Sequence, residues 1–340
     1  MKYKKILDVF STFFVILISL STLASCKFEK KVEKVEIPIH QSINEFGDGT
    51  FLSNAFGIDV DSEFVYIADI NNNRIVVVDT QFSLIRTIGS KGDGPGEFKH
   101  PVHVKTYQNY VYIYDASLKR MNKFSKSGLF EKIITLKFSP GISTPAAFDD
   151  SGFLLFATPT NSKPIVVLSD SGTLIKEFGE QLPDNDGKIY PLRNGRFVFS
   201  TGNHIVALCV ALPFIEKYDI NGNLLMRQDL SLQYEEIELM RKVAEKKYRN
   251  YDDKIKSQVT INLFLGAFLK KNFLYATFKR EMNDDIFCEI LQIDVNSLKI
   301  KKVICPKDRE KRNVYFESIA KSEKAFYLGS NEIYKLYYEQ

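Results

Sequence analysis

Two segments of the chain align without a gap at an offset of 46 residues, and this internal repeat limits the fold more than any other feature. The first runs Asn54-Ala55-Phe56-Gly57-Ile58, then Phe64-Val65-Tyr66-Ile67-Ala68-Asp69, then Asn73-Arg74-Ile75. The second runs His100-Pro101-Val102-His103-Val104, then Tyr110-Val111-Tyr112-Ile113-Tyr114-Asp115, then Lys119-Arg120-Met121. Fainter copies follow from one landmark, an aromatic closing an apolar triplet in the second strand of each unit. These landmarks are Tyr66, Tyr112, Phe156, Phe199, Tyr275 and Tyr327, spaced by 46, 44, 43, 76 and 52 residues. A third strand follows most of them, and hairpin-forming turns such as Asp170-Ser171-Gly172 and Asn221-Gly222 lead into a fourth. Four short strands per unit of about 45 residues predict an all-β fold, a six-bladed β-propeller with four-stranded antiparallel blades. Aromatics make up 13% of the chain without a single Trp, which suits strands and disfavours the Trp-bearing class of propeller repeat.

Two features break the repeat. Residues 231–258 carry Ile237, Met240, Ala244, Tyr248, Tyr251 and Ile255 at spacings of three and four, with charged residues between them. That pattern predicts one amphipathic helix of five to six turns, inserted between the fourth and fifth blades and docked through its apolar stripe. The sixth unit ends at Gln340 without a fourth strand. Val32 to Ile39 alternates apolar and polar residues, so 32–39 is expected to supply the outer strand of the last blade, where Pro38 is tolerated at a free edge.

The leader is an address. Lys2, Lys4 and Lys5 precede an apolar run from Val9 to Leu20 and then Leu23-Ala24-Ser25-Cys26, the order of a secretory signal, so residues 1–25 read as a signal peptide. Residues 1–34 hold seven Lys against three acidic residues, which leaves 39 basic and 39 acidic residues in the rest. A body without net charge gives no electrostatic reason to bind nucleic acid. Cys209, Cys288 and Cys305 are an odd number, so at least one is unpaired. Cys288 and Cys305 face each other only if the hairpin near Asn296-Ser297 has one particular register; otherwise they are buried thiols. No Cys/His spacing suits a metal.

Phe98-x-x-Pro101, Tyr112-Ile113-Tyr114-Asp115 with Arg120, and Gly94-Pro95-Gly96-Glu97-Phe98 resemble NHL-type repeats of six-bladed propellers. Leu23-Ala24-Ser25-Cys26 resembles the bacterial lipobox, and the combination resembles the propeller lipoproteins of Bacteroidetes. The resemblance implies acylation at Cys26, a lipid-anchored tether at 26–31 ahead of the propeller at 32–340, and a place on the outer membrane facing the periplasm.

Candidate chemistry is sparse. Nine residues before the landmarks stand Gly57, His103, Ala147, Tyr190, Gly266 and Ser318, the positions expected beside the propeller axis. Four are small, as crowding there requires, so His103 and Tyr190, with His100 nearby, are the candidate ligand-binding residues. No catalytic residue, metal site or cofactor is expected. The reading is a monomeric, non-catalytic envelope scaffold that binds a protein, peptide or glycan. The alternative is an envelope lyase or lactonase acting in the channel.

Overall fold

The computed structural model describes residues 32–138, 140, 147–148, 152–184, 186–282 and 285–338; the signal peptide, Cys26 and the 26–31 tether lie outside the described residues. The body is a six-bladed β-propeller of antiparallel four-stranded blades. The first blade runs Ala55–Val60, Phe64–Asp69, Arg74–Asp79, Leu84–Ile88, and the second Pro101–Tyr107, Tyr110–Asp115, Arg120–Ser125, Phe130–Thr135. The third begins at Ala147–Phe148 and the fourth at Arg196–Ser200. The fifth has longer strands, among them Phe273–Met282 and Asp285–Asp294. The sixth comprises Ser318–Lys321, Ala325–Gly329 and Ile333–Tyr337, completed from the other end of the chain.

Middle strands are apolar on both faces because each blade is sandwiched between two others. Val65, Ile67, Val76 and Val78 pack with Ile319, Phe326, Leu328 and Ile333 between blades one and six. The opposite face of blade one, Tyr66, Ala68, Ile75 and Val77, packs with Val104, Val111, Ile113 and Phe124 of blade two. The core is thus a set of radial wedges. Each fully buried aliphatic or Phe side chain in them contributes roughly 1.5–3 kcal/mol. Within blades one and two the repeated Asp and Arg hold the entering loop. Asp69 accepts from Ser53 N at 2.9 Å and from Arg74 Nε at 3.0 Å. Asp115 accepts from Lys99 N at 2.7 Å and His100 N at 3.0 Å, while Arg120 donates to the carbonyls of Asp93, Gly94 and Glu97.

Ring closure differs from the expectation by a few residues. Glu33–Pro38 does not complete blade six; it adds a fifth, parallel strand to blade five, with Val35 opposite Ile304 and Ile37 opposite Pro306. The chain crosses over through Ile39 N to Lys307 O at 2.7 Å and His40 N to Lys335 O at 2.9 Å. Gln41–Ile43 then pairs antiparallel with Ile333–Tyr337 and closes the ring. Alternation marks 33–38 as an edge strand but cannot say on which sheet, and three residues reading Gln-Ser-Ile carry no pattern at all.

Two further expectations are corrected. Phe199 lies in the innermost strand of blade four, not the second, which is His204–Cys209. Both strands present apolar triplets, so the landmark fell one strand early. The insertion is two helices, α1 (Glu235–Arg249) and α2 (Asp253–Lys256), not one. Asn250 caps the first, and Asp252 starts the second by accepting from Ile255 N at 2.8 Å. Ile237, Met240, Ala244 and Tyr248 are buried, but Tyr251 and Ile255, beyond the break, are exposed. Helix α1 is fastened by Tyr234, whose hydroxyl donates to Glu289 at 2.7 Å, and by Tyr248, whose hydroxyl donates to Val259 O at 2.7 Å.

Candidate functional site

Among the described residues, the inner strands of blades one, two, four, five and six enclose little space. His103 shares a cavity of about 40 Å³ with Gly57, Phe197, Gly266 and Ser318. That volume admits at most about three water molecules. The small residues are required there: a methyl group on Gly57 would lie 2.4 Å from Val102 O, and one on Gly266 would lie 2.8 Å from Glu317 O. His103 is 7% exposed, with its ring stacked on Tyr114 at 6.5 Å and tilted against Phe56 at 6.0 Å.

The structure does not bring the three candidate residues together. His100 is half-buried in the turn entering blade two, where Asp115 holds its amide and its carbonyl accepts from Ala116 N at 3.0 Å. Tyr190 is not beside the axis. It precedes a short 3₁₀ turn before blade four, and its hydroxyl donates to Asp186 at 2.7 Å and Asp253 at 3.2 Å. The residue facing the axis from blade four is Phe197. The misplacement follows from the landmark error at Phe199. Beside Tyr190 opens a charged cleft of about 280 Å³ lined by Asp184, Asp186, Arg193, Tyr248, Arg249 and Lys256. Arg193 lies with its guanidinium 4.4 Å from the Tyr248 ring and is ion-paired with Asp184.

Two larger concavities lie away from the axis. One, about 830 Å³, runs between the blade-closing strand and the loop before blade six, beside His40, Arg312, Tyr315 and Tyr334. The other, about 720 Å³, opens between blades six and one. Turn residues Asp61, Ser62, Thr80 and Gln81 form one wall, and Lys270, Ser322, Glu323 and Lys324 the other. Lys335, Tyr327 and Tyr337 also line it. Its volume is that of ordinary small-molecule sites.

Sequence reasoning missed the two buried polar networks, because their members lie far apart in the chain. Glu216 accepts from Arg196 Nε, Tyr218 Oη and Arg227 Nε, each at 2.9 Å. The remaining Arg196 nitrogens donate to the carbonyls of Asn194 and Glu180 at 2.7 Å, so this cluster is fully engaged in holding blade four. Glu289 accepts from Tyr234 and from Arg280 at 3.0 Å, and lies 3.5 Å from the Lys34 ammonium. The three described cysteines form no disulfide. Cys288 Sγ donates to Phe316 O at 3.2 Å, and Cys305 stands opposite Glu36 of the added strand. Burial pushes the Cys209 and Cys288 thiols up to about 12 and Cys305 up to about 11, so none is a ready nucleophile at neutral pH. Among the described residues no group of three His, Cys, Asp or Glu is placed to hold a metal ion, and no helix is long and apolar enough to cross a membrane.

Among the described residues, the larger concavities of this propeller lie away from its inner strands. The chain belongs to the DUF5128 family, described as a 6-bladed beta-propeller, whose model matches residues 53–291. Among solved structures it is similar to a member of the duf4221 family from Bacteroides vulgatus ATCC 8482, with 10% identity, 91% of this chain and 99% of that one covered, and a TM-score of 0.57. It is similar to a protein of Bacteroides fragilis NCTC 9343 named as exported, at 14% identity, 79% coverage of both chains and a TM-score of 0.53. A streptogramin B lyase matches at 12% identity over 87% of this chain and 96% of that one, with a TM-score of 0.53. These likenesses show the fold. No curated protein matches.

Proposed function

We propose that this chain is a lipid-anchored propeller of the bacterial envelope that binds a ligand, without catalysis, in the cleft between its sixth and first blades. The observation that carries this is the contrast in space: about 40 Å³ at the axis against about 720 Å³ in a cleft lined with aromatic, hydroxyl and charged side chains. Against a lyase or lactonase acting in the channel stands the space beside His103, which among the described residues holds only about three waters. The ligand is an envelope protein segment, peptide or glycan. The protein works as a monomer, with Cys26 acylated and the propeller on the periplasmic side of the outer membrane. Leu23-Ala24-Ser25-Cys26 and the exported Bacteroides fragilis neighbour support that placement.

The test of binding is thermal. Full chain is melted with separate peptide and glycan fractions of the envelope, and turnover of each is followed. At least one fraction should raise the melting temperature without being consumed, and Tyr337→Ala should abolish the rise. No stabilising fraction, or a fraction converted to product, contradicts the proposal. Cys26→Ser should move the exported protein from the membrane pellet to the soluble fraction; an exported variant that still sediments is not held by acylation.

A further inference from the structure

The cleft between blades six and one holds a buried ammonium group with no close ion pair among the described residues. Lys335 is only 2% exposed, yet its ammonium donates to the Thr80 carbonyl and lies 4.9 Å from the Tyr337 ring and 6.0 Å from Phe82, with no carboxylate within ion-pair distance among the described residues. Of the carboxylates around the cleft, Asp79 accepts from Gln81 N and Ser83 N at 2.8 Å and feels the Lys335 charge without a close ion pair, and two at the rim are committed elsewhere. Asp61 pairs with Lys126 at 2.9 Å and accepts from the Tyr66 hydroxyl at 3.1 Å, while Glu323 pairs with Lys270 at 2.9 Å and Lys271 at 3.4 Å. Keeping the Lys335 ammonium buried without a carboxylate at ion-pair distance costs free energy that aromatic faces return only in part. Such charge is best explained by an anion that arrives from outside.

The rest of the lining narrows that anion. Ser62, Thr80, Gln81 and Ser322 offer neutral donors and acceptors on both walls. The Tyr337 ring is 45% exposed and offers an aromatic surface. Hydroxyls and an amide around a stacking ring suit a polyhydroxylated ring more than an apolar side chain. Building on the proposed binding role, we propose that the cleft takes an acidic saccharide, with its carboxylate on Lys335 and Lys324 and a sugar face on Tyr337.

The experiment is titration calorimetry of the full chain at fixed ionic strength. The probes are a panel of uronate disaccharides, their carboxyl-reduced neutral counterparts, and inorganic sulfate. One or more uronates should bind saturably, with the neutral counterpart at least about tenfold weaker. Lys335→Met and Tyr337→Ala should each weaken binding by about tenfold or more. If Lys335→Met melts without cooperativity, the solvent-facing Lys324→Ala and Tyr337→Ala decide instead. Equal affinity for acidic and neutral sugars overturns the assignment, as does sulfate binding as tightly as the uronate. So does the absence of uronate binding while a peptide or neutral glycan fraction still raises the melting temperature; that last result leaves the binding role standing. No binding by any fraction removes both.

Discussion

The axis and the rim cleft are built from the same repeating unit, yet the described residues leave little space at one and much at the other. At the axis, Gly57, Gly266 and Ser318 let inner strands approach until a single added methyl group would strike backbone. At the rim, the turns after the first and third strands of blade one diverge from those of blade six and leave about 720 Å³. Buried charge follows the same division. The blade-four cluster around Glu216 pairs its arginines internally, whereas Lys335 in the cleft has a carbonyl and rings for partners. Where the chain spends every polar group on itself the structure is a scaffold; where it leaves ammonium groups partly compensated there is room for a ligand.

The largest expected effect concerns what keeps that scaffold shut. A chain starting after Ile43 lacks the strand that closes blade six and exposes the edge of Ile333–Tyr337. It should lose cooperative unfolding and soluble monomer, read by denaturant titration and gel filtration. A chain starting after Pro38 keeps Gln41–Ile43 and should lose only about 1.5–3 kcal/mol from Ile37 burial. Equal losses from the two truncations would show that closure does not depend on Gln41–Ile43.

Next in size is the axis itself. Gly57→Ala should cost about 1–3 kcal/mol, because the new methyl group meets Val102 O and His103 Cα rather than a flexible side chain. An unchanged denaturation midpoint would mean that the inner strands have slack the described geometry does not contain.

Smaller, and opposite in sign, is the effect expected at the buried Lys321, beside the Tyr275 and Phe326 rings. Burial lowers the Lys321 ammonium below its ordinary 10.5, opposed by the nearby charge of Glu323 and helped by those of Lys270 and Lys271. A lowered folded value means that the protonated form is disfavoured in the fold, so this contribution to stability is lost as pH falls through the folded value and is fully present above 10.5. Lys321→Met should therefore raise the melting temperature at neutral pH by about 2–4 °C, and the gain should shrink as pH approaches 10.5. A lowered melting temperature at neutral pH would show that Lys321 is already satisfied.

Much of this was legible from residue patterns and some was not. The 46-residue repeat places the first two blades to the residue, because aromatic and β-branched runs alternate with strong turn formers. Of the positions nine before the landmarks, Gly57, His103, Gly266 and Ser318 line one small cavity at the inner strands. Tyr190 fails because two consecutive strands in blade four are equally apolar, and local pattern cannot rank them. The helix break at Asn250 escapes notice because no Gly or Pro marks it; an Asn and a capping Asp do the work. The cleft itself leaves no trace in local sequence. Its walls come from residues 60–81, 270 and 322–337, which meet only when the ring closes.

The division between shut axis and open rim is tested most directly by one pair of variants. The envelope fraction that raises the wild-type melting temperature is titrated into His103→Ala and Tyr337→Ala, each first confirmed to melt cooperatively. The expected result is wild-type affinity in His103→Ala and binding lost by about tenfold or more in Tyr337→Ala. Loss in His103→Ala with wild-type binding in Tyr337→Ala would place the ligand at the axis and contradict the rim site.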